Sequence, residues 1–501
     1  MILKPAIDDV KIIGYYLGKI TKGIGLFMLI PLAIAVFNLE WQPAMDFLFG
    51  ISVTLLLGHF LCMLFYTKKD LDTVHAMAVA SLSWVVAMFV SAIPLVLSGH
   101  YASVLDALFE SMSGYATTGL TLVRDLDHMS FACNFWRHEM MFIGGQGIVV
   151  MALTFLFRGT AGAFRMYLGE AREERILPNV VATARFIWLV SLTYLILGSA
   201  VLFAANMLSG FRPWQALFDS VCIFMAAWDT GGFAPHSQNI LFYHSFPFEA
   251  ITCVIMLLGS MNFALHYALW TGNRKEAFRN IEVITFSISF AVALSVAVLG
   301  ILKTGLYCNL GSFFRKSFYQ LISAHTGTGY STMYPAQFTK TWGQLGMLGT
   351  ALAMAIGGSV CSTTGAIKVL RIGIMYKAFR QSIKKLILPE SAVMVQKLHH
   401  VRDIILEDRH VRAASFVILA YLLLYLFGTV AGMLCGYSLS DSGFESISAA
   451  ANVGLSSGIT RPSMPDGLKV VYILQMWAGR LEFVSIFVLI GLIVAAIKGK
   501  K

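Results

Sequence analysis

Long apolar runs follow one another along this chain of 501 residues. A helix needs roughly 20 mainly apolar residues to cross the hydrocarbon core of a bilayer. Only 13% of the residues are charged, against about 25% in soluble domains. The sequence therefore predicts an all-α membrane protein with many crossings. Examples of these runs are Ile51–Tyr66, Ala76–Leu97, Ile187–Phe203, Ala413–Gly436 and Val470–Ile497.

Lysine and arginine are concentrated in segments that alternate with segments poor in both. The formal net charge is +10, and its distribution follows the positive-inside rule, by which cytoplasmic loops carry the excess of Lys and Arg. We therefore expect membrane topology, and no nucleic-acid partner, to explain the charge. The pattern predicts that both termini are cytoplasmic and that the number of crossings is even. The basic segments are Lys68–Lys69, Arg158–Arg185, Arg274–Arg279, Lys377–Arg412 and Lys498–Lys501.

A twelve-residue phrase occurs twice beside these runs. FESMSGYATTGL begins at Phe109 and FESISAAANVGL begins at Phe444, and the two align without a gap. Two more divergent copies occur between them, so that four copies each follow one apolar run and precede another. The second copy has four extra residues before its glycine, about one helical turn, which predicts a short helix that is either longer or shifted. The glycines that anchor the copies are Gly119, Gly232, Gly329 and Gly454.

The repeated unit has the form of a pore helix followed by an ion filter. A helix of about ten residues is ~15 Å long and reaches half-way across the bilayer. The loop after it is tolerated there only if it is buried in protein or lines a wet cavity. Four such loops around one axis would offer rings of carbonyl oxygens that replace the water shell of a cation. The negative ends of the helix dipoles favour a cation as well.

The predicted architecture is therefore four units of membrane helix, pore helix, filter loop and membrane helix around one pore. Two extra transmembrane helices precede them, at about Lys11–Phe37 and Phe47–Tyr66. We expect the acids Glu110, Asp219 and Glu445 to form structural hydrogen bonds rather than to coordinate the ion, because they lie two to three turns from the filter. The predicted segments are the two-helix extension at 1–70 and the repeats at 71–165, 166–275, 276–385 and 386–501.

Several blocks outside the filters resemble a known family. They include WRHEMMFIGGQGIVVMAL, GSMNFALHY, IGGSVCSTTGAIKVLR, WAGRLEF and GEAREERILPNVVATAR. With these blocks the chain resembles the TrkH/TrkG potassium-uptake subunits of the Trk/Ktr/HKT superfamily over nearly its whole length. The resemblance implies K⁺ uptake as a multi-pass homodimer in the bacterial inner membrane. It also implies a cytosolic TrkA-like nucleotide-binding ring as regulatory partner. NAD(H), ATP or ADP is then expected on that partner, and no cofactor on this chain.

The resemblance also assigns residues to the filter. In HKT relatives a serine at the first filter glycine accompanies sodium, so Gly119 favours potassium here. The residues that the resemblance implies for K⁺ coordination are Thr117, Thr118, Gly119, Thr230, Gly231, Gly232, Gly327, Thr328, Gly329, Asn452, Val453 and Gly454.

A stretch rich in helix breakers follows the third filter. Gly, Ser and Thr interrupt the apolar run there, and in the family a loop at this place serves as the gate. Thr364 and Ala366 stand where glycines are expected. A kinked helix without a gating role is the alternative, and Lys368 and Arg371 could be anchors that extend to the cytoplasmic interface. The predicted gate loop comprises Gly357, Gly358, Ser359, Ser362, Thr363, Thr364 and Gly365.

Arg480 lies within the last apolar run. An arginine at membrane depth costs about 2.5–3.5 kcal/mol on insertion scales and is usually functional or paired. We predict that Arg480 faces the pore below the filter and forms a positive barrier to cation flux. The alternative is an ion pair. Glu482 is a poor partner because residues two apart on a helix do not face each other, so an acid on another helix is the better candidate.

Two other classes of function remain as alternatives. A symporter would couple K⁺ entry to H⁺ or Na⁺, with Asp229, His325 and Asn452 beside the filters as candidates to tune coupling. A membrane enzyme would need a catalytic or metal-binding constellation. The cysteines stand singly, and His138-Glu139 lacks the second histidine of a metalloprotease helix. We therefore expect a transport protein that is no enzyme and has no transition-metal site.

Overall fold

The computed structural model describes residues 7–155, 163–170, 172, 176–177, 179–304, 309–389 and 395–498. Six helices in these residues are long and apolar enough to cross a membrane, and three pairs of bent helices pass the same test when each pair is taken as one span. This confirms the multi-pass all-α fold. Residues 158–162, 171, 173–175, 178, 390–394 and 499–501 of the predicted basic segments lie outside the described residues.

Two membrane segments precede the repeats, as predicted, although their bounds differ. The first consists of α1 (Ile7–Phe27) and α2 (Leu29–Phe37). Pro31 has no N–H to donate to the preceding turn, which accounts for the interruption between these helices. The second is α3 (Trp41–Leu64), which begins six residues before the predicted start at Phe47.

Repeat one places its helices in the predicted order. After the first membrane helix come the pore helix, the filter loop and a second helix in two parts. The elements are α4 (Thr73–Leu97), α5 (Val104–Tyr115), α6 (Phe131–Gln146), α7 (Ile148–Phe155) and a connecting helix α8 (Ala163–Gly169).

Repeat two has the same order with a longer pore helix. Its elements are α9 (Val180–Leu208), α10 (Pro213–Trp228), a 3₁₀ turn at Asn239–Tyr243, α11 (Phe246–Gly259), α12 (Phe263–Trp270) and a connecting helix α13 (Glu276–Arg279). The α10 helix has 16 residues, whereas the pore helix of repeat one has 12. Of the two predicted possibilities, a longer or a shifted helix, the structure therefore has the longer one.

Repeats three and four complete the set. Repeat three contains α14 (Ile281–Thr304), α15 (Leu310–Phe313), a π-helical turn at Phe314–Phe318, α16 (Tyr319–His325), α17 (Pro335–Thr341), α18 (Gly343–Ala355), strands β1 (Ile356–Gly357) and β2 (Ile367–Lys368), and α19 (Val369–Ile387). A hairpin of β3 (Lys397–His400) and β4 (Arg402–Ile405) leads into repeat four, which contains α20 (Asp408–Leu434), α21 (Leu439–Ala450), α22 (Asp466–Arg480) and α23 (Val484–Lys498).

The second membrane helix is broken in every repeat. The two parts meet at bends of 83°, 101° and 114° in repeats one, two and four. The apolar run Val470–Ile497 is therefore not one continuous helix, because α22 ends at Arg480 and both Glu482 and Phe483 have positive φ. In repeat three, helix stops at Ala355 and resumes at Val369, so the alternative of a simple kink is also wrong.

Pore helices one and four begin with equivalent caps. The hydroxyl of Ser103 accepts a hydrogen bond from the Asp106 N–H (3.2 Å), and Ser438 does the same for Asp441 (3.1 Å). Such a cap satisfies one of the free N–H groups at a helix start. The two phrases therefore begin their helices at the same position, which keeps the following loops in register.

The two N-terminal segments pack through a pair of glycines. A Cβ on Gly58 of α3 would lie 2.8 Å from the carbonyl oxygen of Gly18 in α1, and a Cβ on Gly18 would lie 2.9 Å from that of Gly58. Small residues permit this backbone approach between membrane helices, where packing rather than the hydrophobic effect drives association.

We predict that Gly58→Leu destabilises the protein by about 2 kcal/mol, because overpacking forces the two helices apart. The measurement is thermal unfolding of the purified protein in detergent. The control is Gly491→Leu, since Gly491 lies in α23 with no atom near the position of its Cβ. Equal melting temperatures for the two variants would contradict this packing argument.

Candidate functional site

The four filter loops contact one another in a closed ring. A Cβ added to each anchoring glycine would overlap the carbonyl oxygen of the preceding residue in the next loop. The order is cyclic, so each loop contacts the loop of the following repeat and the fourth returns to the first. The contacts run from Gly119 to Gly231, from Gly232 to Thr328, from Gly329 to Val453 and from Gly454 to Thr118.

The backbone of the loops is also equivalent. In each loop the first and third filter residues have positive φ and the second does not. The first residues are Thr117, Thr230, Gly327 and Asn452, with φ of 51°, 50°, 72° and 56°. A left-handed conformation costs a side-chain-bearing residue roughly 1–2 kcal/mol, so the surrounding packing must impose it. The filter residues are buried except Gly119 and Gly454, which are partly exposed.

A side chain ties the first and fourth loops together. The Asn452 amide donates to the Thr118 hydroxyl and to the carbonyl of Met476, both at 3.0 Å. His325 has a different role, since its ring contacts the Ala353 carbonyl (3.1 Å) and the Ser289 hydroxyl (3.0 Å) behind the filter. His325, one of the candidates to tune the coupling of K⁺ to H⁺ or Na⁺, is therefore part of the internal packing of repeat three.

The pore-helix acids hold the chain that leaves each filter. The Glu110 carboxylate accepts hydrogen bonds from the Thr121 hydroxyl (2.9 Å) and the Leu122 N–H (3.0 Å). Glu445 accepts equivalent bonds from the Ser456 hydroxyl (2.8 Å) and the Ser457 N–H (2.7 Å). These are structural hydrogen bonds, as the sequence predicted for both acids.

The other two repeats achieve the same bracing with different groups. Asp219 lies 3.1 Å from Nε2 of His236, and the amide oxygen of Gln320 accepts from the Ser331 hydroxyl (3.2 Å).

The sequence pattern did not reveal Arg137, which is fully buried and forms an ion pair with Glu110 at 2.7 Å. A buried carboxylate needs such a partner, and this partner comes from the second helix of repeat one.

The predicted gate loop lies directly against the filters. The Thr363 hydroxyl donates to the carbonyls of Trp228 (3.0 Å) and Gly259 (2.9 Å), and lies 3.3 Å from the Thr230 hydroxyl. On the far side, a Cβ on Gly365 would overlap the Ala451 carbonyl. The loop therefore fills the space beneath filters two and four, held by main-chain acceptors that the pore helix and the broken helix leave free.

The backbone at position 366 adopts a conformation that favours glycine. Ala366 has φ of 64°, and Cys361 in the same loop has φ of 54°. Glycine adopts this region without a penalty and alanine does not. The observed loop conformation consequently retains backbone strain at Ala366, where glycine is expected from the sequence.

Arg480 contacts the gate loop and repeat one together. Its guanidinium donates to the carbonyl of Thr363, and also to those of Gly144 (2.8 Å) and Gly145 (3.1 Å). Glu482 forms its ion pair with Arg371 instead, as expected for residues two apart. Gly144 and Gly145 lie in the last turn of α6, which ends at Gln146 just before the bend, so their carbonyls are open to a donor from another segment.

The interpretation of Lys368 as an interfacial anchor was wrong. Its side chain is buried, and its ammonium donates to the carbonyl and the hydroxyl of Thr364, the latter at 2.9 Å. The cation therefore lies at the base of the gate loop rather than at the membrane surface. Arg371 is partly buried and pairs with Glu482, so it too has an internal partner.

Two further charged residues near Arg480 were not singled out from the sequence. Arg172 donates to the Gly145 carbonyl (3.1 Å), which Arg480 also contacts, and Glu170 accepts from the Val149 N–H (2.7 Å). Both come from the GEAREER segment between repeats one and two, whose charge suggested only a cytoplasmic loop. Asp229 lies nearby and accepts from the Gln146 amide (2.7 Å).

Two cavities lie on opposite sides of the filter ring. The outer cavity has a volume of about 210 Å³, and its lining includes Gly119, Gly329 and Gly454. The inner cavity has only about 20 Å³, room for about one water molecule, and its lining includes Lys368 and Arg480. Among the described residues, no group of three or more His, Cys, Asp or Glu could hold a metal ion.

Comparisons with known proteins agree with this architecture. A family model described as TrkH, cation transport protein, matches residues 43–495. The chain is 32% identical over 486 residues to an uncharacterized cation transporter of Methanocaldococcus jannaschii, covering 96% of this chain and 95% of that one. It is 28% identical over 499 residues to the Trk system potassium uptake protein TrkG of Escherichia coli, with coverage of 96% and 98%.

A solved structure is similar over the same extent. The crystal structure of the potassium transporter TrkH from Vibrio parahaemolyticus matches with a TM-score of 0.81 and 25% identity, covering 96% of this chain and 98% of that one. The match includes the four repeats and the two helices before them. The chain therefore belongs to the TrkH family of cation transport proteins.

Proposed function

We propose that the chain takes up K⁺ through the ring of filter loops. The observation that carries this proposal is the cyclic contact of four glycine-centred loops, because it brings equivalent main-chain carbonyls around one axis. Such oxygens can replace the hydration shell of a monovalent cation. The relatives named as potassium uptake proteins support K⁺ as the ion, and so does glycine at position 119. On this proposal the chain is a transport protein rather than an enzyme.

The filter residues are proposed to bind K⁺ through their main-chain oxygens. The observed acids brace the loops from behind, so the ion charge would be balanced by carbonyl dipoles and the negative ends of the pore helices. The proposed K⁺-binding residues are Thr117, Thr118, Gly119, Thr230, Gly231, Gly232, Gly327, Thr328, Gly329, Asn452, Val453 and Gly454.

The loop from Gly357 to Gly365 is the proposed gate. It lies between the filters and an inner cavity of about 20 Å³, which is too small for a hydrated ion to pass. Thr363 is hydrogen bonded both to the filter side and to Arg480, so movement of this loop would open the path. Arg480 is the proposed electrostatic barrier, because its positive charge lies beside the loop on the path that a cation would take.

The membrane arrangement follows from the repeats. Up to nine spans meet the length and composition test in the described residues, and the helix interrupted by the gate loop would be a tenth. An even number agrees with cytoplasmic termini in the bacterial inner membrane. The basic segment Lys377–Arg412 is the proposed docking region for a TrkA-like regulatory ring that binds NAD(H), ATP or ADP. We also propose that the chain forms a homodimer, as the family resemblance implies.

Symport with H⁺ or Na⁺ is the second candidate. The observation in its favour is Asp229, a carboxylate buried next to filter two and hydrogen bonded to Gln146. A buried carboxylate that can exchange a proton is a common part of proton-coupled transport.

We predict that Gly329→Ser strongly reduces K⁺ uptake, because the added side chain overlaps the Val453 carbonyl in the neighbouring loop. The measurement is growth of a transport-deficient bacterium at limiting K⁺, with protein levels in the membrane determined in parallel. The control is Gly467→Ser, since Gly467 is exposed and has open space at its Cβ position. Normal growth with Gly329→Ser would contradict the filter assignment.

We predict that Arg480→Ala increases cation flux in proteoliposomes. Removing the charge lowers the barrier, and a decrease of about 1.4 kcal/mol would raise the rate about tenfold. The control is Arg409→Ala, which removes an exposed arginine at the start of α20. If a correctly inserted Arg480→Ala protein has the wild-type flux, Arg480 is no barrier.

A gradient experiment separates the two candidate functions. We expect K⁺ uptake into proteoliposomes to follow the K⁺ gradient and the membrane potential alone. An imposed H⁺ or Na⁺ gradient should then have no effect on the reversal potential. A shift of the reversal potential with either gradient would establish symport, and Asp229→Asn would then test whether that carboxylate carries the coupling.

A further inference from the structure

We propose that Glu282 is a positioning residue that connects the gate loop to the cytoplasmic β3–β4 hairpin, so that displacement of the hairpin releases the loop. This inference rests on the proposed gating role of the loop. It adds a physical route from the cytoplasm to the gate, through residues that belong to neither the filter nor the Arg480 site.

Glu282 lies at the beginning of α14 and is almost fully buried, with 1% of its surface exposed. One carboxylate oxygen accepts a hydrogen bond from the Val360 N–H of the gate loop (2.7 Å). The other lies 3.0 Å from Nε2 of His400 in the hairpin and 3.4 Å from the Asn262 amide. A buried carboxylate depends on all such partners, so the positions of loop and hairpin are linked through one group.

A second set of contacts attaches the hairpin to α13, the short helix just before α14. The Glu276 carboxylate accepts from the Val401 N–H and lies close to Nε2 of His399, both at 3.0 Å. Nδ1 of His399 lies 2.7 Å from Asp403. Hydrogen bonds to Asp403 and Glu276 raise the pKa of the His399 imidazole above its ordinary value. Positive charge on His399 is therefore favoured while the hairpin is docked.

The hairpin also contacts the helix that leaves the gate loop. The Lys377 ammonium of α19 donates to the carbonyl of Lys397 in β3 (2.7 Å). Leu398 of the hairpin is buried in a small apolar cluster with Ile281 of α14 and Ile374 of α19. The hairpin therefore bridges the helices on both sides of the loop, and its displacement would affect Val360 through Glu282 and the loop's exit through α19.

The cytoplasmic side of this route is accessible. The side chains of Arg402 and Asp403 at the start of β4 are exposed, whereas the Glu282 carboxylate is buried. A protein that binds the hairpin surface could therefore alter the contacts of Glu282 without entering the membrane. Val360 is 78 residues from Glu282 in sequence, so only the tertiary fold creates the connection.

The test measures hydrogen–deuterium exchange of peptides that contain Val360, together with ion flux, in purified full-length protein. Glu282→Ala removes the acceptor of Val360, and His400→Ala changes only the hairpin side. We expect about tenfold faster exchange of the gate-loop peptide in both variants, and a higher flux. Arg402→Ala, which changes an exposed side chain of the same hairpin, should leave both values at the wild-type level.

Glu282→Gln keeps the size of the side chain and an acceptor oxygen, so it provides the measurement if the alanine variant does not fold. We expect it to retain protection of Val360 better than Glu282→Ala does. Wild-type exchange in His400→Ala would overturn the proposal, because Glu282 would then anchor the loop without any link to the hairpin. Faster exchange in both variants with unchanged flux would support the link and contradict the proposed gate.

Discussion

The structure depends on one constraint: main-chain N–H and C=O groups at membrane depth must have partners in the protein or in the transported ion. The four filter loops meet this constraint by packing against one another, each glycine against a carbonyl of the next repeat. Any larger residue at these glycines would separate the loops. The packing that closes the ring therefore also positions its carbonyl oxygens. The acids Glu110 and Glu445 hold the loop exits in place.

The broken second helices extend this principle below the filter. Each break leaves carbonyl groups without an intrahelical donor, and polar side chains from other repeats supply the missing hydrogen bonds. Arg480 and Arg172 donate to the carbonyls before the first break, and Thr363 donates to the last residue before the second. The breaks thus create the acceptors that hold the gate loop and the cationic groups under the ring.

Repeat three differs from the others outside its filter loop. It has Gln320 in place of an acid, a π-helical turn before its pore helix, and a long non-helical segment in its second helix. Its first helix also carries Glu282, which contacts both the proposed gate loop and the β3–β4 hairpin. A nearly symmetric filter is therefore combined with one asymmetric repeat, which contains the proposed gate loop and Glu282.

The sequence by itself determined the features that depend on local pattern: long apolar runs, four glycine-anchored phrases and the four extra residues in the second phrase. These are set by periodicity, length and capping over neighbouring residues. Only the tertiary structure decided which groups meet. It paired Glu110 with Arg137, buried Lys368, divided the last run at Leu481 and connected Val360 to His400 through Glu282. Such contacts join residues far apart in the chain, and the need to satisfy buried charges selects the partners only after the helices have packed.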